Sequence, residues 1–297
     1  MQTRYRAAAT ALLLTATAGL AATGGAAEAS GTHHTSARAG AKILTITVKS
    51  EAKSLKLSDT TIRPGRTVFR VKNIDGKASR GLIQLLRLRA GYTAVDASND
   101  IPAAFNGDTA AVKRVDDGIV FYGGMPAKGD KSTPPTQWAV NLGKPGRYVM
   151  VNFDHQIFAS LTVAGAKEKR GFPARTGFIN AVTSSNAAGN DFEAGKGMPH
   201  LGWMSTRNSA EEPHFVELQQ VKKGTTDADI SRAFKGGPDP SVHPGGHAST
   251  GIISPGHRFV WTYRVPAGRY AAMCFFPSQM NGVPHALMGM HTVFNLH

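Results

Sequence analysis

A chain of 297 residues, 41% of them hydrophobic, is long enough to bury the cores of two ordinary domains. Its net charge of +14 is dispersed, and no Lys/Arg run interleaved with aromatics occurs, which excludes the usual footprint of a nucleic-acid binder. That charge leaves an acidic redox partner protein or an anionic cell-envelope component as the expected partners.

Residues 1–29 read as a signal peptide. Arg4 and Arg6 form a basic start, Ala7–Leu20 an apolar run too short for a comfortable membrane span, and Ala27-Glu28-Ala29 a cleavage site. The protein is therefore expected to be secreted, extracellular or in the cell envelope, with no membrane span after the leader is removed. In an oxidising compartment a single cysteine makes no internal disulfide. Cys274 is then a buried thiol, a metal ligand or an intermolecular partner.

Residues 30–40 have the composition of a disordered linker. His33 and His34 within it are expected to be inert. From Ala41 onward the pattern is β: Ile43–Val48 and Thr67–Asn73 alternate, Leu82–Leu88 follows, and Gly/Pro turns separate them. Helical periodicity is scarce, with short helices expected only at Tyr92–Ser98 and Asp227–Phe234. The fold class is all-β, built as antiparallel sandwiches.

Two halves of the chain overlay. Thr67–Asn73 matches Gly202–Asn208, and Leu82–Ser98 matches Phe215–Ser231 without a gap. Lys144–Tyr148 matches Pro266–Tyr270, each after a strand containing tryptophan, Trp138 or Trp261. A tyrosine after a Pro/Gly turn at the head of a late strand is the position of the tyrosine corner of Greek-key sandwiches. Finally, His155–Val163 matches His285–Val293. This divides the chain into domains at 41–166 and 172–297, joined by a polar hinge at 167–171.

The stretch Gly268–Leu296 concentrates the chemistry. It holds Cys274, His285, His291 and four methionines, in a strand, loop and strand pattern that sets Tyr270, Ala272, Cys274 and Phe276 on one face. Upstream, Asn208 is followed six residues later by His214, just before a strand. A thiol, two imidazoles and a thioether at one end of a sandwich form the ligand set of a blue-copper centre. In order and strand context, His214, Cys274, His285 and Met290 resemble the plastocyanin-like cupredoxins, with Gly289-Met290 echoing the plastocyanin Gly-Met. The resemblance implies two tandem cupredoxin-like Greek-key domains and one copper ion in the C-terminal domain, bound by those four residues. Two features depart from the family: the ten residues between Cys274 and His285, and a second methionine, Met288, placed as an alternative axial ligand.

In the overlay the first half carries Gly81 for His214, Asn152 for Cys274 and Ser160 for Met290, so it is expected to hold no metal. His155, beside Asp154, reads as a surface or hydrogen-bonded histidine. Pro238–Gly256 reads as a long loop whose His243 and His247, with His257 beyond, offer a weak second metal constellation. Asp116-Asp117 and Glu211-Glu212 read as solvated charge. The expected function is one-electron transfer by a type 1 copper protein; the alternative is a metal-free module of the same fold that binds an envelope component or a protein. An enzyme is not expected, because Cys274 is flanked by Met273 and Phe275, no His-x-His occurs, and no hydrolase or P-loop signature is present.

Overall fold

A computed structural model describes residues 42–49, 53–74, 81–127, 136–152 and 157–297. The leader, the linker with His33 and His34, Asp154 and His155 lie outside the described residues. In chain order the first half contains β1 (Lys42–Lys49), β2 (Ser54–Leu57), β3 (Thr61–Ile62), β4 (Gly65–Asn73) and β5 (Leu82–Leu88). Two helices follow, α1 (Ala94–Phe105) and α2 (Thr109–Gly118), then β6 (Ile119–Pro126), β7 (Gln137–Leu142), β8 (Gly146–Asn152) and β9 (Ile157–Val163). The second half contains β10 (Gly177–Thr183), β11 (Asn190–Ala194), β12 (Leu201–Arg207), β13 (Glu217–Val221) and helix α3 (Asp227–Phe234). It ends with β14 (His247–Ser249), β15 (Arg258–Arg264), β16 (Gly268–Met273) and β17 (His291–Leu296).

The architecture is all-β, and its repeat is visible in the strand order. One eight-stranded sheet runs β11-β10-β12-β15-β7-β4-β1-β2, a palindrome in which β2, β1, β4 and β7 answer to β11, β10, β12 and β15. Its centre is the antiparallel β7–β15 pair, where Trp138 stands opposite Trp261. Within each half the partners agree to the residue: Phe69 faces Trp138 as Met204 faces Trp261. A second sheet covers each half, β3-β9-β8-β5-β6 in the first and β14-β13-β16-β17 in the second.

Alternation drives the sandwich. In β1, Leu44, Ile46 and Val48 are fully buried while their neighbours are not. Phe69 stacks on Trp138 with ring centroids 5.0 Å apart, and one continuous core joins them to Leu85, Tyr148, Met204, Trp261 and Tyr270. The tyrosine corner is present twice: Tyr148 donates to the Lys144 carbonyl at 2.8 Å and Tyr270 to the Pro266 carbonyl at 2.7 Å. Each bond spans four residues and seals the turn that enters the late strand.

The ungapped stretch also holds through its helix. Thr93 and Asp96 form a capping box on α1, and Thr226 and Asp229 form the same box on α3. Helical content exceeds what the sequence pattern indicates. α1 continues to Phe105 through Pro102, and α2 begins behind an Asp108 cap that accepts from the Ala110 and Ala111 amides. Helical periodicity is obscured there because several buried residues of these short amphipathic helices are weakly hydrophobic or polar: Ala97, Asp100, Ala104, Ala111 and Gly118.

The last strand corrects the overlay. Gly146 pairs with Val163, and its counterpart Gly268 pairs with Leu296, so Val163 answers to Leu296 rather than Val293. The match of Ser160 to Met290 is therefore three residues out of register. By strand register Ile157 stands where the second half has Met290. Repeating apolar and β-branched residues in a strand let a one-dimensional match slide, whereas the hydrogen-bond ladder does not.

Between the halves, Phe172 crosses the outer face of the eight-stranded sheet, against Val68, Ala139, Trp203 and Val260. No helix among the described residues is long and apolar enough to cross a membrane.

Candidate metal centre

Cys274 follows directly on β16. Tyr270, Ala272, Cys274 and Phe276 alternate into the main core, while Ala271 and Met273 face a second cluster with Val221, Ile230 and Ala286. Both faces of this strand are thus dry, and Cys274 is fully buried.

His214 is brought to it by the loop after β12. Asn208 ties that loop shut: its Nδ2 donates to the carbonyls of Glu212 at 2.8 Å and Ile253 at 3.0 Å, and its Oδ1 accepts from the Ala210 amide at 3.0 Å. The His214 backbone then pairs with Ile253 in both directions, at 3.1 and 2.8 Å. Ile253 belongs to the stretch read from sequence as an irregular loop. That stretch forms β14 and then bonds to the first half: Gln84, fully buried, donates to the Ile252 carbonyl at 3.0 Å and accepts from its amide at 2.7 Å. His214 is therefore held by a segment clamped to the other half of the molecule.

His285 opens a 3₁₀ turn, His285–Met288, that ends at Gly289 with φ of 110°. That left-handed angle strains any side chain, which accounts for glycine there. The turn folds the chain back so that the Ala286 amide donates to the Cys274 carbonyl at 2.7 Å and the Met290 amide to the His285 carbonyl at 2.9 Å. Met290 is fully buried in the same core as Cys274, with Met288 packed partly exposed beside it.

The three donors converge. The Cys274 sulfur lies 3.6 Å from His214 Nδ1 and 3.8 Å from His285 Nδ1, and the ligand atoms of all three lie within 4.8 Å of one another. Among the described residues no other group of histidine, cysteine and acidic side chains converges in this way. His243 pairs instead with Asp239 at 3.4 Å, and His247 with Glu217. His257 donates from Nδ1 to the Pro255 carbonyl at 2.9 Å and stacks edge-on to Tyr122. The weak constellation of loop histidines is not assembled.

Two acidic residues read as solvated charge are built into the site's surroundings. The Glu212 carboxylate engages His285 Nε2 through one oxygen, and its other oxygen accepts from the Gln279 amide at 3.1 Å. Gln279 Nε2 in turn donates to Asp116 of α2. Neither role has a sign in the sequence beyond the position of Glu212 two residues before His214. Burial, which lowers it, acts first on His285, but hydrogen bonds that the ring donates to Cys274 and Glu212 outweigh it and raise the imidazole to about 9. Burial, with the nearby His285, holds His214 well below its ordinary value and so neutral. His214 Nε2 is buried and has no hydrogen-bond partner.

No family model and no curated protein matches the chain. Among solved structures, auracyanin B shares 16% identity over 43% of this chain and 93% of its own, with a TM-score of 0.26. Auracyanin from Roseiflexus castenholzii shares 15% over 42% and 99%, with a TM-score of 0.25. The copper-containing nitrite reductase of Thermus scotoductus SA-01 shares 10% over 86% and 61%, with a TM-score of 0.24. None of these likenesses reaches the level that would define the fold or function of this chain.

Proposed function

We propose that the protein is an exported copper-binding protein of cupredoxin type that carries single electrons, and that His214, Cys274, His285 and Met290 of its second half would hold one copper. The observation that carries this reading is the convergence of two imidazole Nδ1 atoms on one buried thiol. Metal bonds of roughly 2.0 Å to nitrogen and 2.3 Å to sulfur, at the ~120° of a trigonal plane, put nitrogen and sulfur about 3.7 Å apart. The observed separations of 3.6 and 3.8 Å match that spacing.

Copper bound there would supply a one-electron Cu(II)/Cu(I) couple whose geometry changes little between states. The chain's own residues prepare for it. Glu212 fixes the proton of His285 on Nε2 and leaves Nδ1 facing the sulfur. Neutral His214 presents its own Nδ1. Phe276 and Met290, both buried, keep water from the thiolate. Met290 is a better axial candidate than Met288 because it is fully enclosed and its carbonyl accepts from the Cys274 amide at 3.4 Å. A carrier is favoured over an oxidase by the residues flanking Cys274, Met273 and Phe275, since neither is an imidazole that could pass electrons to further copper.

Titrating Cu(II) into the protein and recording the visible spectrum tests the reading. An intense thiolate-to-copper band at one equivalent, absent in Cys274→Ser, is expected. A colourless protein that takes up no copper would leave the metal-free binding module as the better account.

A further inference from the structure

The outer face of the eight-stranded sheet carries a row of cations. The ladders place Arg207 opposite Arg258, and Asn141 opposite Arg66. Arg258 lies one step beyond the Phe259–Val140 pair and so beside Asn141. Arg207, Arg258, Asn141 and Arg66 thus form one row across β12, β15, β7 and β4. With strands about 4.8 Å apart, the row spans roughly 15 Å.

Like charges directly opposite on neighbouring strands repel, and a fold tolerates them only with compensation. Among the described residues no carboxylate supplies it: none of Arg66, Arg175, Arg207 and Arg258 forms an ion pair with one, and Arg66 donates instead to the Arg170 carbonyl. Burial and then the charges of Arg175, Arg66 and Arg207 depress the Arg258 guanidinium. Its Nε is buried without a partner. Glu168, the acidic residue nearby, is occupied by Arg170 and by Arg63 at 3.4 Å. Phe172 neutralises only part of this, with Arg66 and Arg258 over its ring at 4.9 and 4.6 Å from the centroid. Beside Arg66 the row opens into a cleft of about 390 Å³ that adds Lys167 and Lys169.

We propose that this row is a binding strip for a linear phosphate polymer, independent of the copper site. Guanidinium forks suit phosphate oxygens better than they suit isolated carboxylates. A strip longer than one phosphate, with cations at intervals and the amide donor Asn141 between them, fits a chain of repeating anions rather than a single ion.

Long-chain polyphosphate is the probe, titrated into the full chain at several salt concentrations, with orthophosphate and polyglutamate in parallel. Arg175→Ala with Arg207→Ala removes two exposed cations whose charges act on Arg258. This pair is expected to weaken polyphosphate binding at least about tenfold and to flatten the salt dependence by on the order of one unit per arginine. The melting temperature should not move, since both side chains are exposed. Equal weakening by Lys222→Ala with Lys223→Ala, a basic pair elsewhere on the surface, would overturn the strip in favour of diffuse charge. Orthophosphate or polyglutamate binding as tightly as polyphosphate would overturn the polymer assignment. Absence of any polyphosphate binding, with Arg66→Ala and Arg258→Ala lowering only the melting temperature, would reduce the row to a clamp for Phe172.

Discussion

Ahead of β5, Gly81 lies against Asn152, and a side chain at Gly81 would run into the Asn152 amide. At the matching place ahead of β13, His214 lies against Cys274, with its Nδ1 3.6 Å from the sulfur. The ladders confirm that these are the same two positions: Gln84 pairs with Val151 as Glu217 pairs with Met273. One scaffold thus ends once in a corner filled by Asn152 and once in a cluster of two imidazoles and a thiol. The difference resides in three things: two side chains, and a connection of sixteen residues from Cys274 to Met290 where the first half spans five from Asn152 to Ile157. The long connection supplies His285, and the first half compensates by covering it. Phe105 of α1 meets Phe276 edge-on at 5.8 Å, Gly107 abuts Gly282, and Asp116 of α2 receives Gln279. The half without ligands is a lid for the half that has them.

The largest break in this arrangement should come from Gln84. Its side chain makes four hydrogen bonds in a dry environment, to Leu85, Gly123 and both backbone groups of Ile252. Gln84→Ala leaves those groups unsatisfied and should cost about 3 kcal/mol of unfolding free energy. Because Ile253 pairs with His214, the same variant should weaken copper binding. A variant that loses stability while keeping copper affinity unchanged would show that the first half supports the fold and not the site.

Glu212→Ala should have the next effect. Without the carboxylate, the His285 ring is no longer oriented through Nε2, and copper affinity should fall roughly 10- to 100-fold. Competition against a chelator measures this, and the position of the visible band should shift as well. Glu212→Gln keeps an acceptor and should recover most of the affinity. Equal loss in both would mean that the charge, not the orientation, matters.

Much of this was legible in the sequence, for reasons that differ by region. The repeat of the two halves was readable because Pro/Gly turns and the paired tryptophan and tyrosine strands recur in the same order, whereas the single sheet that joins them through β7 and β15 was not. His214, Cys274 and His285 were readable because few residue types hold copper, and their order along the chain survives folding. Glu212 and Asp116 were not, since a carboxylate in a turn looks the same whether it faces water or an imidazole 73 residues away. Nor was the role of residues 250–254, whose partners are backbone groups of β6 and the Gln84 side chain. Backbone pairing carries no side-chain signature, and Gly, Ser and Thr in a row describe a buried crossover as well as a free loop.

The smallest effect bears on how firmly the lid is held. Asp100 of α1 is buried and accepts from Arg114 of α2 at 2.7 and 3.0 Å and from Tyr92 at 2.9 Å, so it joins the two helices. The Arg114 hydrogen bonds hold its carboxyl below the usual value. A depressed carboxyl contributes stability that is present above its unfolded value, near 3.8, and is lost as pH falls through the folded value. Asp100→Asn keeps an acceptor but not the charge, and should cost about 1 kcal/mol at neutral pH. The gap between the two proteins should begin to narrow below pH ~3.8, where the unfolded carboxyl takes up a proton, and close only below the lower folded value. Urea unfolding at pH 7 and pH 3 makes the comparison. If Asp100→Asn is equally costly at both, the charge of Asp100 does not join the helices, and α1 and α2 rest on their alanine-lined packing alone.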